Sequence, residues 1–171
     1  YSIEGGEATA FPLAALDTAA SLGPTGMASV RTEITTSVAT TPPFGFSLWC
    51  RKNADAYTQA LDTFGANVFR LFGPSIDPFI PSSLTATTAQ LTAPDGNSVA
   101  GAVLRDQASV LIAPQMASGK KIEMEWLVVL NAAVGDTIEC QPRFDNGTAL
   151  NAYTVTPRFT VVTPFASGAG F

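Results

Sequence analysis

Two glutamates, Glu123 and Glu125, have the type and spacing of a catalytic pair. They lie in the segment KIEMEWLVVL, residues 121–130, where they alternate with apolar residues as in a β-strand. Residues two apart on a strand point to the same face, so both carboxylates could face one cleft, as a glycosidase requires. The same alternation places them opposite Ile122 and Trp126, on the side that the pattern assigns to solvent. We therefore expect a solvated strand face.

The other polar residues offer little nucleophilic or metal chemistry. The chain has no histidine, so the commonest general base and zinc ligand are both missing. No glycine-rich phosphate-binding motif occurs, and the lysines of SGKK, residues 118–121, follow a turn signal that exposes them. Oxygens of Asp95, Asn97, Asp145 and Asn146 could hold calcium, but turn geometry explains these Asp-Gly and Asn-Gly segments. We predict that the chain is not an enzyme and has no cofactor or metal.

The two cysteines, Cys50 and Cys140, fall on the apolar faces of their strand patterns. The default expectation is a pair of reduced thiols in the core. The alternative is a disulfide that closes a long loop, and the sequence supplies no geometry to decide between the two.

Charge is scarce in this sequence, and the scarcity restricts its partners. Of the 171 residues 46% are hydrophobic and only 13% are charged, which excludes a disordered chain. A surface so poor in charge is suited to contact with other subunits. The net charge of −5 and the scattered cations exclude nucleic acid as a direct partner, because a polyphosphate requires clustered cations. No apolar run approaches the roughly 20 residues that cross a bilayer, so we predict no membrane span.

The elements that must position these residues are β-strands. From Val30 onward apolar residues recur with a period of two, and turn signals such as Asn146-Gly147 separate the strands. The pattern predicts an all-β fold over residues 29–171, a single-domain jelly roll or antiparallel β-sandwich of about eight strands. Residues 1–28 are predicted to form an amino-terminal arm, or a short helix in PLAALDTAASLG, residues 12–23.

The strand at residues 121–130 becomes apolar on both faces, since Leu127 and Val129 complete the face that begins with Glu123. Burial of both faces indicates that a neighbouring copy packs outside the sheet. Aromatic residues near the chain ends are further candidate contacts, because aromatic residues are enriched at interfaces. The candidate interface residues are Phe11, Trp126, Leu127, Val129, Phe165 and Phe171.

Two other aromatic residues are candidates for stacking on a ligand. Trp49 lies opposite the apolar parity of its strand, and Tyr57 follows nearby. They support an alternative function, a carbohydrate- or receptor-binding β-sandwich. An open groove at Trp49 would favour ligand binding, whereas a Trp49 buried between subunits would favour a shell.

The closing part of the chain resembles a known family. An apolar strand, a turn that ends in Gly135-Asp136, a β-branched strand and a final aromatic strand from Tyr153 to Phe165 are similar to the closing half of trimeric jelly rolls. These are the tumour-necrosis-factor and complement-globular-head family and similar phage head-fibre, decoration and capsid domains. The resemblance covers residues 120–165, and the first half of the chain departs from the family. It implies a jelly roll with a threefold axis lined by aromatic and aliphatic residues.

The composition is also similar to that of viral shell proteins, many of which are all-β, poor in charge and rich in alanine, threonine, glycine and proline. The net negative charge of the chain favours a position on the outer surface of the capsid, away from the genome. The sequence therefore predicts a structural virion protein of a phage, either a decoration protein or a jelly-roll capsid subunit. Its expected partners are copies of itself, as a homotrimer, and other capsid proteins.

Overall fold

The computed structural model describes residues 19–39, 45–61, 67–71, 96–104, 111–112, 116–153 and 155–163. Within these residues every regular element is a β-strand and none is a helix, which confirms the all-β prediction. The strands are β1 (Ala20–Leu22), β2 (Met27–Thr35), β3 (Gly45–Lys52), β4 (Thr58–Gln59), β5 (Phe69–Leu71), β6 (Ser98–Leu104), β7 (Leu111–Ile112), β8 (Lys121–Leu130), β9 (Thr137–Phe144) and β10 (Arg158–Val161).

The strands form two sheets, an arrangement compatible with a β-sandwich. The larger sheet has the order β1-β10-β9-β3-β4, and β7 pairs with β3 further along the edge that β4 occupies. The smaller sheet has the order β2-β8-β5, and β6 pairs with β8 further along the edge that β5 occupies. The pairs β1–β10 and β6–β8 are parallel, whereas the remaining strand pairs are antiparallel.

The core lies between the two sheets and follows the period-two pattern. In β2 buried and half-buried residues alternate from Met27 to Ile34, because successive side chains point to opposite faces. Trp126 of the smaller sheet is among the largest fully buried side chains. Phe69 of the smaller sheet meets Phe159 of the larger sheet edge-on, with ring centroids 5.8 Å apart. This contact joins the two layers directly.

The segment before β2 differs from the expectation of a helix that continues to residue 23. Ala20–Leu22 is a strand that pairs in parallel with β10, and both Ala20 and Leu22 are buried in the core. Sheet pairing and burial override the helix propensity of this alanine-rich segment. The next strand then begins at Met27. Residues 1–18 of the predicted arm, which include Phe11, lie outside the described residues.

The turn that ends in Gly135-Asp136 is confirmed. Gly135 has a φ of 96°, which suits the third position of a type II turn, and the Asp136 amide donates to the Ala133 carbonyl at 3.1 Å. The Asp136 carboxylate accepts hydrogen bonds from the Asn53 side chain and the Ala133 amide, both at 2.9 Å. These donors lower the pKa of Asp136, with Asn53 contributing most. The same contacts tie the β3–β4 turn to the start of β9.

The last strand is shorter than the aromatic strand predicted from Tyr153 to Phe165. It spans Arg158–Val161, directly after Pro157, which has no amide hydrogen to donate to a sheet. Tyr153 lies before it, and its hydroxyl donates to the Pro142 carbonyl at 2.7 Å. Phe165 lies outside the described residues.

Thr32 provides a test of the packing between the sheets. Its side chain lies on the core face of β2, and its hydroxyl is buried with no hydrogen-bond partner among the described residues. Replacing a buried unpaired hydroxyl by a methyl group removes a desolvation cost. We expect Thr32→Val to raise the free energy of unfolding in urea by about 1 kcal/mol. The matched control is Thr160→Val, the same change at an exposed position, which should have little effect. Destabilisation by Thr32→Val would show that the hydroxyl has a partner in the folded protein.

Candidate functional site

The paired glutamates are buried and ion-paired, which corrects the expectation of a solvated face. Glu123 is 4% exposed and Glu125 is 8% exposed. Arg31 on β2 lies directly opposite Glu125 and donates to both carboxylates, at 2.5 Å to Glu123 and by a second contact to Glu125. The Ser29 hydroxyl donates to the other oxygen of Glu125. A sequence pattern indicates which face a residue occupies, but it does not indicate which arginine lies across the strand.

This arrangement does not form the acid and base of a sugar-cleaving site. In a glycosidase the two carboxyl groups lie on either side of the scissile bond, whereas Glu123 and Glu125 accept from the same guanidinium. In the described part of the chain, no group of three or more histidine, cysteine, aspartate or glutamate residues could hold a metal ion. The ion pairs are therefore best explained as structural.

The two candidate stacking residues lie together on the outer face of the larger sheet. Four side chains stack there in the order Trp49, Arg143, Tyr57 and Arg51, a group that we call the arginine–aromatic stack. The guanidinium carbon of Arg143 is 5.0 Å from the Trp49 ring centroid and 4.6 Å from that of Tyr57. The guanidinium carbon of Arg51 is 4.8 Å from the Tyr57 centroid. Cation–π attraction at these distances stabilises the stack.

Glu139 on β9 binds the end of this stack. It accepts hydrogen bonds from the Tyr57 hydroxyl and from Arg51 at 3.0 Å, and it forms an ion pair with Arg158 at 3.0 Å. The pKa of Glu139 is lowered, chiefly because the Tyr57 hydroxyl donates to it and then because both arginines favour its charged form. The pKa of Tyr57 is raised to about 12, because burial disfavours the tyrosinate and because Glu139 accepts a hydrogen bond from the neutral hydroxyl and would repel a tyrosinate.

Trp49 is half-buried, and the chain itself covers its ring. The indole nitrogen donates to the Ser47 hydroxyl at 2.9 Å, while Arg143 lies over the ring. A Cβ atom on Gly147 would lie 2.9 Å from Trp49 Cζ2, so the β9 turn is packed directly against the indole. Trp49 is therefore neither open to a groove nor dependent on a neighbouring subunit for cover. Parity identified Trp49, and Tyr57 was a second candidate in the segment that follows, but the sequence carried no signal for the arginine between them.

The described residues form clefts that could hold a ligand, among them the following two. The larger has a volume of about 530 Å³ and is lined by Lys52, Asp55 and Asn131 among others. The smaller, of about 310 Å³, lies beside Glu139 and Arg158. Neither cleft is lined by the candidate stacking residues, so the aromatic rings and the clefts do not form one site.

The structure places the candidate interface residues that it describes in different environments, one in the core and two on the outer face of β8. Trp126 is only 2% exposed and belongs to the core of its own subunit, so it is not available to a partner. Leu127 and Val129 lie on the opposite face of β8 and are half-buried. Met27, which the sequence did not single out, lies directly opposite Val129 on β2 and is also half-buried. Two further candidates, Phe165 and Phe171, lie outside the described residues, like Phe11.

Cys50 and Cys140 form a disulfide, which corrects the default expectation of two reduced thiols. They lie directly opposite one another on β3 and β9, with Cα atoms 4.1 Å apart. Such a short Cα separation is typical of the non-hydrogen-bonded pairs in an antiparallel ladder. Parity alone placed both sulfurs inward; only the pairing of two distant strands brings them together.

No protein family, curated protein or solved structure matches this chain. A helix long and apolar enough to span a membrane does not occur within the residues that the structure describes.

The pKa of Tyr57 predicts its titration in the folded protein. Its folded value of about 12 exceeds the ordinary value of about 10, so the neutral phenol stabilises the fold at and below pH 10. This contribution is lost as the pH rises from 10 towards 12. The test is tyrosinate absorbance during an alkaline titration of the folded protein, with Tyr57→Phe subtracted from wild type. The difference curve should have its midpoint near pH 12; a midpoint near pH 10 would refute the partial burial of the phenol and its hydrogen bond to Glu139.

The contact between Gly147 and Trp49 predicts different costs for two glycine substitutions. Gly147 and Gly119 both have positive φ, 83° and 77°, so alanine at either costs about 1 kcal/mol in backbone conformation. No atom lies within 4 Å of an added Cβ at Gly119, whereas the Trp49 ring blocks it at Gly147. We expect Gly147→Ala to destabilise the protein by about 1–2 kcal/mol more than Gly119→Ala in urea unfolding. Equal losses would mean that the indole does not rest on this turn.

Proposed function

We propose that this chain is a structural subunit of a viral shell, a phage decoration protein or jelly-roll capsid protein on the outer surface of the capsid. It builds or strengthens the shell by binding copies of itself, as a homotrimer, and other capsid proteins. The observation that carries the proposal is the difference between the two outer faces of the sandwich.

The outer face of the larger sheet is closed by its own side chains. Arg143 and Arg51 lie over the aromatic rings, and Glu139 forms an ion pair with the guanidinium of Arg51. A face already covered in this way needs no neighbour to exclude water from its aromatic rings. It also offers a ligand no bare ring of the kind that sugars stack on, so the alternative of a carbohydrate- or receptor-binding module has less support.

The outer face of the smaller sheet has a different character. At one end it presents Met27, Leu127 and Val129, all apolar and half-buried. Beside them Glu123 and Glu125 both accept from Arg31, whose single positive charge offsets one of the two negative charges and so weakens their repulsion of a second copy. Apolar side chains next to internally paired charges suit a contact between subunits.

Two further features support the proposal. Most connections between successive strands pass from one sheet to the other, as the chain does when a jelly roll is wound from two sheets. Disulfides persist on secreted proteins and on virion surfaces, and the Cys50–Cys140 bond fits a protein that works outside the reducing interior of a cell.

The proposal predicts an association that depends on Leu127. We expect light scattering over a dilution series to give a mass near three times the 17.8 kDa of one chain. Leu127→Asp should raise the dissociation constant by about 100-fold or more, because it removes a buried apolar side chain and places an unpaired charge at the contact.

Val134→Asp is the matched control, since Val134 is 53% exposed in a turn and the same change there should leave the mass unaltered. Circular dichroism checks that both variants remain folded. A wild-type chain that is monomeric at every concentration would overturn the trimer, and equal effects of the two variants would overturn the contact face.

A further inference from the structure

The disulfide lies at a position where strand pairing alone brings the two sulfurs together. β3 and β9 pair from Phe46 to Lys52, and Cys50 faces Cys140 within this ladder. On one side of the cysteine pair, Arg51 donates to Glu139 at 3.0 Å. On the other side the rings of Phe46 and Phe144 stack with centroids 5.7 Å apart. None of these contacts requires a bond between the sulfurs.

Backbone hydrogen bonds extend the pairing beyond both ends of the ladder. The Asn53 amide donates to the Thr137 carbonyl at 2.7 Å, and the Asp145 amide donates to the Gly45 carbonyl at 3.0 Å. A one-residue slip would move Phe46 and Leu48 from the core to the surface, so the register is strongly specified without the disulfide. Two unlinked thiols at this site would behave as small apolar core residues.

The same burial that favours the pairing shields the bond. Cys50 is 1% exposed and Cys140 is 0% exposed. β9 lies between β10 and β3, and β3 lies between β9 and β4, so both cysteines are on interior strands of the larger sheet. Thiol–disulfide exchange requires a thiolate to reach a sulfur atom directly. Exchange at this bond therefore requires the sheet to open.

We propose that the Cys50–Cys140 bond is not needed for folding and stabilises a fold that forms without it. The chain folds with both thiols free; the bond closes during a transient opening of the sheet and then resists reductants for as long as β3 and β9 stay paired. In the closing step each thiol loses its proton, one S–S bond forms, and the two electrons reduce a small disulfide such as oxidised glutathione to two thiols. This inference does not depend on the shell function. The closed bond adds stability to the fold for as long as β3 and β9 stay paired.

The first test is refolding without the bond. The chain is unfolded in concentrated guanidinium with excess reductant and refolded with the reductant present. We expect the β-sheet circular dichroism of the oxidised protein to return, with a melting temperature lower by about 10 °C because the long loop is no longer closed. A double variant, Cys50→Ala with Cys140→Val, should fold and melt close to the reduced wild type. Failure of both to fold would overturn the proposal, since the bond would then be a requirement for folding.

The second test is reduction of the folded protein. Oxidised protein is incubated with dithiothreitol, and free thiols are counted by alkylation and mass spectrometry, in native buffer and in concentrated guanidinium. We expect alkylated Cys50 and Cys140 to appear at least about 100-fold more slowly in native buffer than in guanidinium, because exchange requires the interior strands to open first. Equal rates in the two solutions would show that the sulfurs are accessible in the folded protein, and would refute its resistance to reduction.

Discussion

The pairing of β3 with β9 is the interaction on which the arrangement of the larger sheet depends. Because side chains alternate along both strands, one register places Cys50 against Cys140 in the core. The same register places Trp49 and Arg143 on the outer face, where the guanidinium covers the ring. A shift of one residue would separate the sulfurs and dismantle the stack together. The disulfide and the arginine–aromatic stack are thus two consequences of one pairing.

The pairing of β2 with β8 has the corresponding role in the smaller sheet. It places Trp126 in the core, aligns Arg31 with the two buried glutamates, and leaves Leu127 on the outer face. The two outer faces consequently differ: one is covered by cations stacked on aromatic rings, and the other ends in apolar side chains. An outer face that ends in apolar side chains fits the proposed assembly, and the scarcity of charge in the chain points in the same direction.

Sequence periodicity predicted the local features of this fold well and the long-range ones poorly. Alternation placed Ile122, Met124 and Trp126 inward, and the structure confirms that all three are buried. The burial of Glu123 and the disulfide at Cys140 could not be predicted in this way, because each depends on a strand that is distant in the sequence. Parity placed Trp49 on an outer face, and Tyr57 was a second stacking candidate in the segment that follows. Neither pattern indicated that arginine side chains lie over both rings.

We propose that the protein uses the outer face of its smaller sheet for assembly and leaves that of its larger sheet free of partners. Hydroxyl-radical footprinting with mass spectrometry, performed on dilute and concentrated samples, tests this residue by residue. If the smaller sheet is the contact face, Met27 and Leu127 become protected from oxidation as the protein concentration rises, while Trp49 and Tyr57 react equally in both samples. Protection of Trp49 and Tyr57 without protection of Met27 and Leu127 would contradict it.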